Sequence, residues 1–161
     1  MTAPTREEVL TWLDEVKDPE IPVLSLVDLG VITEIQITGE HIRVDMTPTF
    51  VGCPAIQIMK EEIIGVIKGQ GVENVSVHIS YKRPWTSDLI SEKGKIALKK
   101  FGLAPPPVAA YISDIDLLEH AQCPRCNSTH TEVKSPFGST LCRSIHFCLD
   151  CKEGFEQFKP I

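Results

Sequence analysis

The chain has 161 residues, of which 42% are hydrophobic and 24% are charged, and its formal net charge at pH 7 is −6. This length predicts one domain, or one domain with a small second one. Because phosphate contacts need a basic face, the acidic balance argues against a nucleic-acid partner. No apolar run approaches the ~18 residues of a membrane helix, and the acidic start lacks the apolar core of a signal peptide. We therefore expect a cytoplasmic protein without a membrane partner, whose cysteines bind metal or react rather than form disulfides.

The first predicted element is an amphipathic helix over residues 6–17, which begins at a capping-box pattern and has apolar residues at helical spacing. Pro19 and Pro22 end it, because two prolines so close together forbid a continuing helix. Asp18 and Glu20 are therefore expected on an extended loop. Carboxylates beside prolines often cap turns, so the residues alone favour that interpretation of this pair.

A three-stranded sheet is predicted next. Apolar residues at even spacing on both sides of Gly39 indicate a β-hairpin over residues 31–46. A helix with a broad apolar face follows at 55–68, then an alternating strand at 72–79 and a basic helix at 91–101. The order α-β-β-α-β-α predicts a small α+β domain with its helices on one face of the sheet.

Composition divides the chain into three parts. The first is the α+β domain, residues 1–104. A proline run at residues 105–107 is stiff and extended, and it opens a predicted linker over 105–120. Residues 121–161 form a short cysteine-rich tail, and residues 119–161 carry five basic and five acidic residues.

Cys53 stands alone between Gly52 and Pro54, at the predicted start of the second helix. Proline is favoured at a first helical position, and the free N–H groups of the helix would then face the sulfur. Such a position predicts a thiol that is more acidic than usual and suited to bind metal or act as a nucleophile. The alternative is a small buried cysteine, because free cysteine is among the most buried residue types.

The tail carries two CxxC pairs with 21 residues between them, the spacing of a zinc ribbon. Each CxxC turn lets two sulfurs reach one ion, and two turns complete a tetrahedron. A segment of about forty residues has too small a core to fold alone, so bound metal must supply the missing free energy, on the order of 10 kcal/mol. A thioredoxin-type redox motif has a single CxxC beside a βαβ unit, which favours structural Zn²⁺ here. The predicted ligands are Cys123, Cys126, Cys148 and Cys151.

Three other tail residues offer ligand atoms. Because zinc closes at four ligands, Cys142 is expected to be a buried structural thiol. His130 and His146 are expected to be surface or packing residues.

Several motifs together resemble a known family. The N-terminal ones resemble the small DPE-motif iron–sulfur maturation proteins, which include SufT-type and cytosolic iron–sulfur targeting factors. With the two CxxC pairs and the FGST motif before Cys142, the chain as a whole resembles the PaaD-type subunit of the bacterial phenylacetyl-CoA epoxidase system. The segments that carry the resemblance are Asp18-Pro19-Glu20, Asp28-Leu29-Gly30, residues 47–54, residues 123–126, Phe137-Gly138-Ser139-Thr140 and residues 148–151.

The resemblance implies an accessory or maturation factor in aerobic phenylacetate breakdown, rather than a catalyst. Its implied partners are an oxygenase with a di-iron carboxylate subunit and a reductase with a flavin and an iron–sulfur cluster. Cys53 would be the thiol that handles transient iron or a cluster, with Asp18, Glu20 and Thr49 near it.

One thiolate is too few to hold a cluster, since clusters usually take four cysteines. A second copy of the chain or the client protein would therefore supply further ligands. The alternative function is a non-catalytic adaptor that bridges oxygenase and reductase while Cys53 is merely packed. A thiol enzyme is disfavoured, because a nucleophilic cysteine needs a histidine base within ~3 Å and the sequence places none beside Cys53.

Overall fold

Residues 3–107 and 121–160 are described by the structure, which is a computed structural model. Its contacts divide the chain into two compact units, Met1–Trp85 and Thr86–Ile161. This division falls earlier than the boundary at 104 expected from composition. Most of the expected linker, residues 108–120, lies outside the described residues, so the three-part division stays a prediction.

The helices of the described residues are α1 (Arg6–Leu13), α2 (Leu26–Leu29), α3 (Ile56–Gly69) and α4 (Glu92–Phe101), with a 3₁₀ turn at Ser87–Leu89. The strands are β1 (Lys17–Asp18), β2 (Ile21–Ser25), β3 (Ile32–Thr38), β4 (His41–Met46), β5 (Asn74–Ile79), β6 (Leu103–Ala104), β7 (Thr131–Ser135), β8 (Arg143–Cys148) and β9 (Gly154–Phe158). In the part of the chain that is described, no helix is long and apolar enough to cross a membrane.

The first unit is built on a three-stranded sheet of order β3-β4-β5 within the described residues. β3 pairs antiparallel with β4 as a hairpin, and β5 pairs parallel with β4. A parallel neighbour needs a crossover connection, and α3 supplies it. Ile42, Val44 and Met46 alternate along β4 and are fully buried. The predicted α+β fold with a three-stranded sheet is confirmed.

α1 begins at the predicted capping box. The Glu8 backbone N–H donates to the Thr5 hydroxyl, and the Thr5 N–H donates to the Glu8 carboxylate at 2.7 Å. The helix ends at Leu13 rather than at residue 17, because Lys17 pairs across to Ser25 in a two-stranded sheet of β1 and β2. Where an extended loop was expected, Asp18 ends β1 and Glu20 lies in the turn between these two strands.

The sequence reasoning missed α2, a single helical turn after β2. Ser25 caps it by accepting the Asp28 N–H at 3.0 Å, and Gly30 ends it in the left-handed region at φ 76°. Four residues are too few to show a hydrophobic period, so only these terminal signals could have revealed it.

The second unit holds a four-stranded sheet of order β6-β9-β8-β7 in the residues described. β7, β8 and β9 form an antiparallel meander, and the short β6 pairs parallel with β9. The strands β7 to β9 are the predicted ribbon. The pairing of β6 with this sheet was not expected, because a two-residue strand has no pattern of its own.

Candidate functional site

Cys53 lies in the loop between β4 and α3, and its thiol is half-buried. α3 begins at Ile56, two residues later than Pro54, with Ala55 as its N-cap. The helix start acts on the thiol in the expected direction, because the backbone N–H groups of Ala55 and Ile56 lower the pKa of Cys53.

The end of β1 and the turn that follows it carry two carboxylates that act on the Cys53 thiol. Both Glu20 and Asp18 act electrostatically on the Cys53 sulfur. Asp18 is buried, and its Oδ1 accepts the N–H of Glu20 at 2.7 Å and that of Ile21 at 3.0 Å. Asp18 therefore caps its turn and its charge also acts on the thiol, so the two interpretations of this residue are compatible.

The expectation that Cys53 is unusually acidic is wrong. Burial raises the pKa of the Cys53 thiol above its ordinary value, and the negative charges of Glu20 and Asp18 raise it further. The backbone N–H groups of Ala55 and Ile56 lower it, but by less. A helix start alone does not determine the acidity when burial and two carboxylates oppose it.

Thr49 lies four residues before Cys53 in the same loop and is half-buried. Thr47, which precedes it, is buried and donates its hydroxyl to the Arg83 carbonyl at 3.2 Å. This bond fastens the start of the loop. The structure thus places Thr49, Cys53, Asp18 and Glu20 in one unit, and their roles stay a prediction.

The four predicted ligand cysteines come together in the second unit. Their sulfur atoms all lie within 4.8 Å of one another, with Cys123 to Cys151 at 3.7 Å and Cys126 to Cys148 at 3.5 Å. Sulfurs about 2.3 Å from a tetrahedral ion would be about 3.8 Å apart. The donor set therefore fits one tetrahedrally bound metal ion.

Two equivalent turns present these sulfurs. The Cys123 N–H donates to the Ser128 carbonyl, and the Cys148 N–H donates to the Glu153 carbonyl, each at 2.9 Å. The residue after each pair, Asn127 or Lys152, has a positive φ of 63° or 62° and donates back to the first cysteine. Each turn thus folds its CxxC around the same point.

Asp150 joins the two turns. It accepts hydrogen bonds from the Ser128 hydroxyl and from His130 Nδ1, the latter at 3.1 Å, and these bonds lower its pKa. Backbone N–H groups of Cys151 and Asp150 lower the pKa of Cys148 to about 7. Such donors favour a thiolate, which is the form that binds metal.

The remaining tail residues behave as the sequence predicts. Cys142 is buried, with its sulfur 3.1 Å from the Thr140 hydroxyl. His130 is an exposed surface residue that pairs with Asp150. His146 is fully buried and stacks on Phe155 with ring centroids 5.5 Å apart, and burial lowers its pKa to about 4.

One further polar group was not found from the sequence. Glu156 on β9 accepts from the Ser139 N–H at 2.7 Å and from Arg143 Nη1 at 3.0 Å. Burial opposes its ionised form, but these donors hold the pKa of Glu156 below its usual value. The FGST motif was the available signal, since Ser139 is part of it.

Comparisons with known proteins agree with this two-part structure. The iron–sulfur cluster assembly protein family matches residues 6–79, and the PaaD zinc beta ribbon domain matches residues 113–159. A crystal structure of a DUF59 domain from Bacillus anthracis is 25% identical with a TM-score of 0.54, over 57% of this chain and 89% of that one.

Two curated relatives are also similar. A candidate 1,2-phenylacetyl-CoA epoxidase subunit of Escherichia coli (strain K12) is 35% identical over 98% of this chain and 94% of its own length. An Fe–S protein maturation auxiliary factor of Porphyromonas gingivalis is 32% identical over 58% of this chain and 90% of its own length. The chain therefore belongs to the PaaD family of phenylacetyl-CoA epoxidase subunits, with an iron–sulfur cluster assembly domain followed by a zinc beta ribbon.

Proposed function

We propose that this chain is an accessory maturation factor of a phenylacetyl-CoA ring epoxidase. It assists assembly of an iron or iron–sulfur centre in the oxygenase or the reductase subunit and catalyses no reaction itself. Two similarities support this function: the relative from the E. coli epoxidase over nearly the whole chain, and the Fe–S maturation factors over the first unit.

The observation that carries the proposal is the grouping of Cys53 with Glu20 and Asp18. Burial disfavours a bare thiolate and the two carboxylates repel it, so without a cation the thiol keeps its proton. A bound cation reverses this effect, because its positive charge attracts thiolate and carboxylates together. The arrangement thus disfavours an isolated thiolate and favours a thiolate paired with an iron cation.

This site is incomplete for a cluster. It offers one sulfur, whereas clusters usually take four cysteines. Glu20 is half-buried and Asp18 is buried in its turn, so Glu20 is the more accessible oxygen donor. We infer that the client protein, or a second copy of this chain, supplies the remaining ligands, with Thr49 lying beside the transfer path.

The ribbon has a different role in this proposal. Cys123, Cys126, Cys148 and Cys151 hold Zn²⁺ as a closed structural site. The bound ion supplies folding free energy to the second unit and leaves no open position for chemistry. The ribbon then serves to attach the factor to its partner.

The second candidate function is an adaptor that bridges oxygenase and reductase without handling metal. The raised pKa of the half-buried Cys53 favours it, because a protonated thiol at neutral pH is a poor ligand for free metal. In that case Cys53 only packs within its loop.

Metal analysis separates the two functions. The epoxidase subunits are co-expressed anaerobically with wild-type chain, with Cys53→Ser, or with Cys142→Ser as the matched thiol control. We expect about one zinc per chain in all three proteins. Iron content and activity of the purified epoxidase should fall with Cys53→Ser alone.

An epoxidase with full iron content after co-expression with Cys53→Ser contradicts the maturation function. If the subunits still co-purify as a complex in that case, the adaptor function is the better account. Equal losses with Cys53→Ser and Cys142→Ser indicate a general folding defect and also contradict a special role for Cys53.

A further inference from the structure

The loop between β7 and β8, residues 136–142, is fastened to the ribbon sheet and is called here the ribbon loop. The Gly138 N–H donates to the Arg143 carbonyl at 2.8 Å. The Glu156 carboxylate accepts both the backbone N–H and the hydroxyl of Ser139, at 2.7 and 3.0 Å, and pairs with Arg143. The conformation of the loop is therefore fixed by the Glu156 carboxylate, which accepts hydrogen bonds from three donors.

Gly138 confirms how closely the loop approaches the strands. A Cβ atom at this position would lie 2.7 Å from Glu156 Oε1 and 2.9 Å from Arg143 Cβ. Real Cβ atoms do not approach other atoms so closely, and the Arg143 Cβ cannot move away without its backbone. No larger residue fits at Gly138 while the loop keeps this conformation.

The same loop exposes two large apolar side chains. Phe137 is 64% exposed and Leu141 is 60% exposed, on either side of the fastened residues. Leaving such a side chain in water forgoes about 1.5–3 kcal/mol relative to burial. A fixed loop loses little further freedom on binding, and buried aromatic anchors dominate many interfaces. The loop thus has the properties of a preformed docking element.

Charge indicates the chemistry of the partner. The ammonium of Lys159 lies 5.2 Å from the centre of the Phe137 ring and donates to the Pro136 carbonyl at 3.1 Å. Within the described residues it has no carboxylate partner. The ribbon loop itself contains no acidic residue. The exposed side chains of the loop at Phe137 and Leu141 are therefore apolar, and the charge beside Phe137 is positive, although the whole chain is acidic.

We propose that the ribbon loop docks into an apolar pocket edged by carboxylates on a partner protein. Phe137 and Leu141 fill the pocket, and Lys159 pairs with a carboxylate at its edge. This inference rests on the proposed function, since it takes the partner to be a protein of the epoxidase system that receives the metal centre.

The test measures binding of the full-length zinc-loaded chain to the purified oxygenase and reductase subunits by biolayer interferometry. Phe137→Ala and Lys159→Glu should each weaken binding at least tenfold, and Leu141→Ala should weaken it several-fold. Tyr81→Ala is the matched control, because Tyr81 is 60% exposed in the first unit; its affinity should stay within twofold of wild type. Zinc content and circular dichroism verify that each variant is folded.

Three results overturn the docking proposal. The first is that folded Phe137→Ala and Lys159→Glu chains bind the epoxidase subunits as tightly as the wild-type chain does. The second is that the wild-type chain binds neither the oxygenase nor the reductase. The third is a wild-type dimer in sedimentation that Phe137→Ala dissociates, which assigns the loop to a second copy instead. Iron content of the co-expressed epoxidase is measured for the same variants, so loss of docking with Phe137→Ala and loss of iron with Cys53→Ser are read by separate assays.

Discussion

The titration of Cys53 is the most direct test of the site. An ordinary cysteine thiol has a pKa of 9.0, and burial together with Glu20 and Asp18 raises that of Cys53 above this value. At pH 7 an ordinary thiol is ionised in about one molecule in a hundred, since each pH unit changes the ratio tenfold. Cys53 should therefore be ionised in fewer than about one molecule in a hundred.

Alkylation by iodoacetamide measures this fraction, because the thiolate is the nucleophile. The zinc-loaded, iron-free chain is labelled between about pH 6 and pH 11, and the Cys53 peptide is quantified by mass spectrometry. The rate at pH 7 should be less than about one hundredth of the plateau rate at high pH. Glu20→Gln should move the inflection to lower pH, and Asp18→Asn should do so by less. Glu7→Gln, which changes an exposed carboxylate in the first turn of α1, should leave it in place.

The free energy of unfolding of the chain should also depend on pH, with a sign that follows from the raised pKa of Cys53. The folded pKa of Cys53 lies above the unfolded value, so the folded state holds the proton more tightly. The contribution of this group to stability is then present below the unfolded pKa and is lost as pH rises through the folded pKa. An inflection below the ordinary value of 9.0 refutes the reasoning, because it means that the Ala55 and Ile56 N–H groups outweigh burial and both carboxylates.

Three further outcomes are expected. Gly138→Ala should destabilise the second unit by about 1–3 kcal/mol through overpacking. Gly154→Ala should be neutral or slightly stabilising, because a Cβ atom there meets nothing closer than 3.9 Å. Zinc release during denaturant unfolding measures both variants, and equal unfolding midpoints contradict the steric argument. Trp85→Phe removes the 2.8 Å indole bond to the buried Leu29 carbonyl and should cost about 1–3 kcal/mol, seen as a lower urea midpoint. Cys148→Ser should abolish zinc binding and unfold the ribbon while the first unit stays folded in NMR spectra; a folded, metal-free ribbon would show that the metal is dispensable.

Local signals made much of the fold predictable. The capping box at Thr5 and Glu8 depends on residues three apart, and the hairpin depends on the alternation of apolar side chains around Gly39. The four ribbon cysteines were predictable for a related reason, since ligand chemistry fixes the spacing within each CxxC. In each case the residues that determine the structure are close together in the sequence.

The missed features are either too short to show a pattern or depend on distant residues. β1 has two residues and therefore no visible alternation, although its partner Ser25 is only eight residues from Lys17, whereas β6 exists because it adds to β9, more than fifty residues away. The predicted acidity of Cys53 was wrong for the second of these reasons. Its helix start was visible locally, but the burial that raises the pKa most is created by the fold, and the Glu20 carboxylate that raises it further lies more than thirty residues earlier.

The two thiol sites of this chain differ in the groups that surround the sulfur atoms. In the ribbon, backbone N–H groups lower the pKa of Cys148 to about 7, whereas burial raises the pKa of Cys151 to about 12, so all four sulfurs ionise together only when a metal ion compensates their charge. At Cys53, burial and then the neighbouring carboxylates favour the protonated thiol when no cation is present. In the proposed transfer role, a cation that binds Cys53 displaces the thiol proton, and a proton returns to the sulfur when the cation leaves. The raised proton affinity of Cys53 thus opposes permanent metal binding, which agrees with the proposed transfer role and not with a structural site.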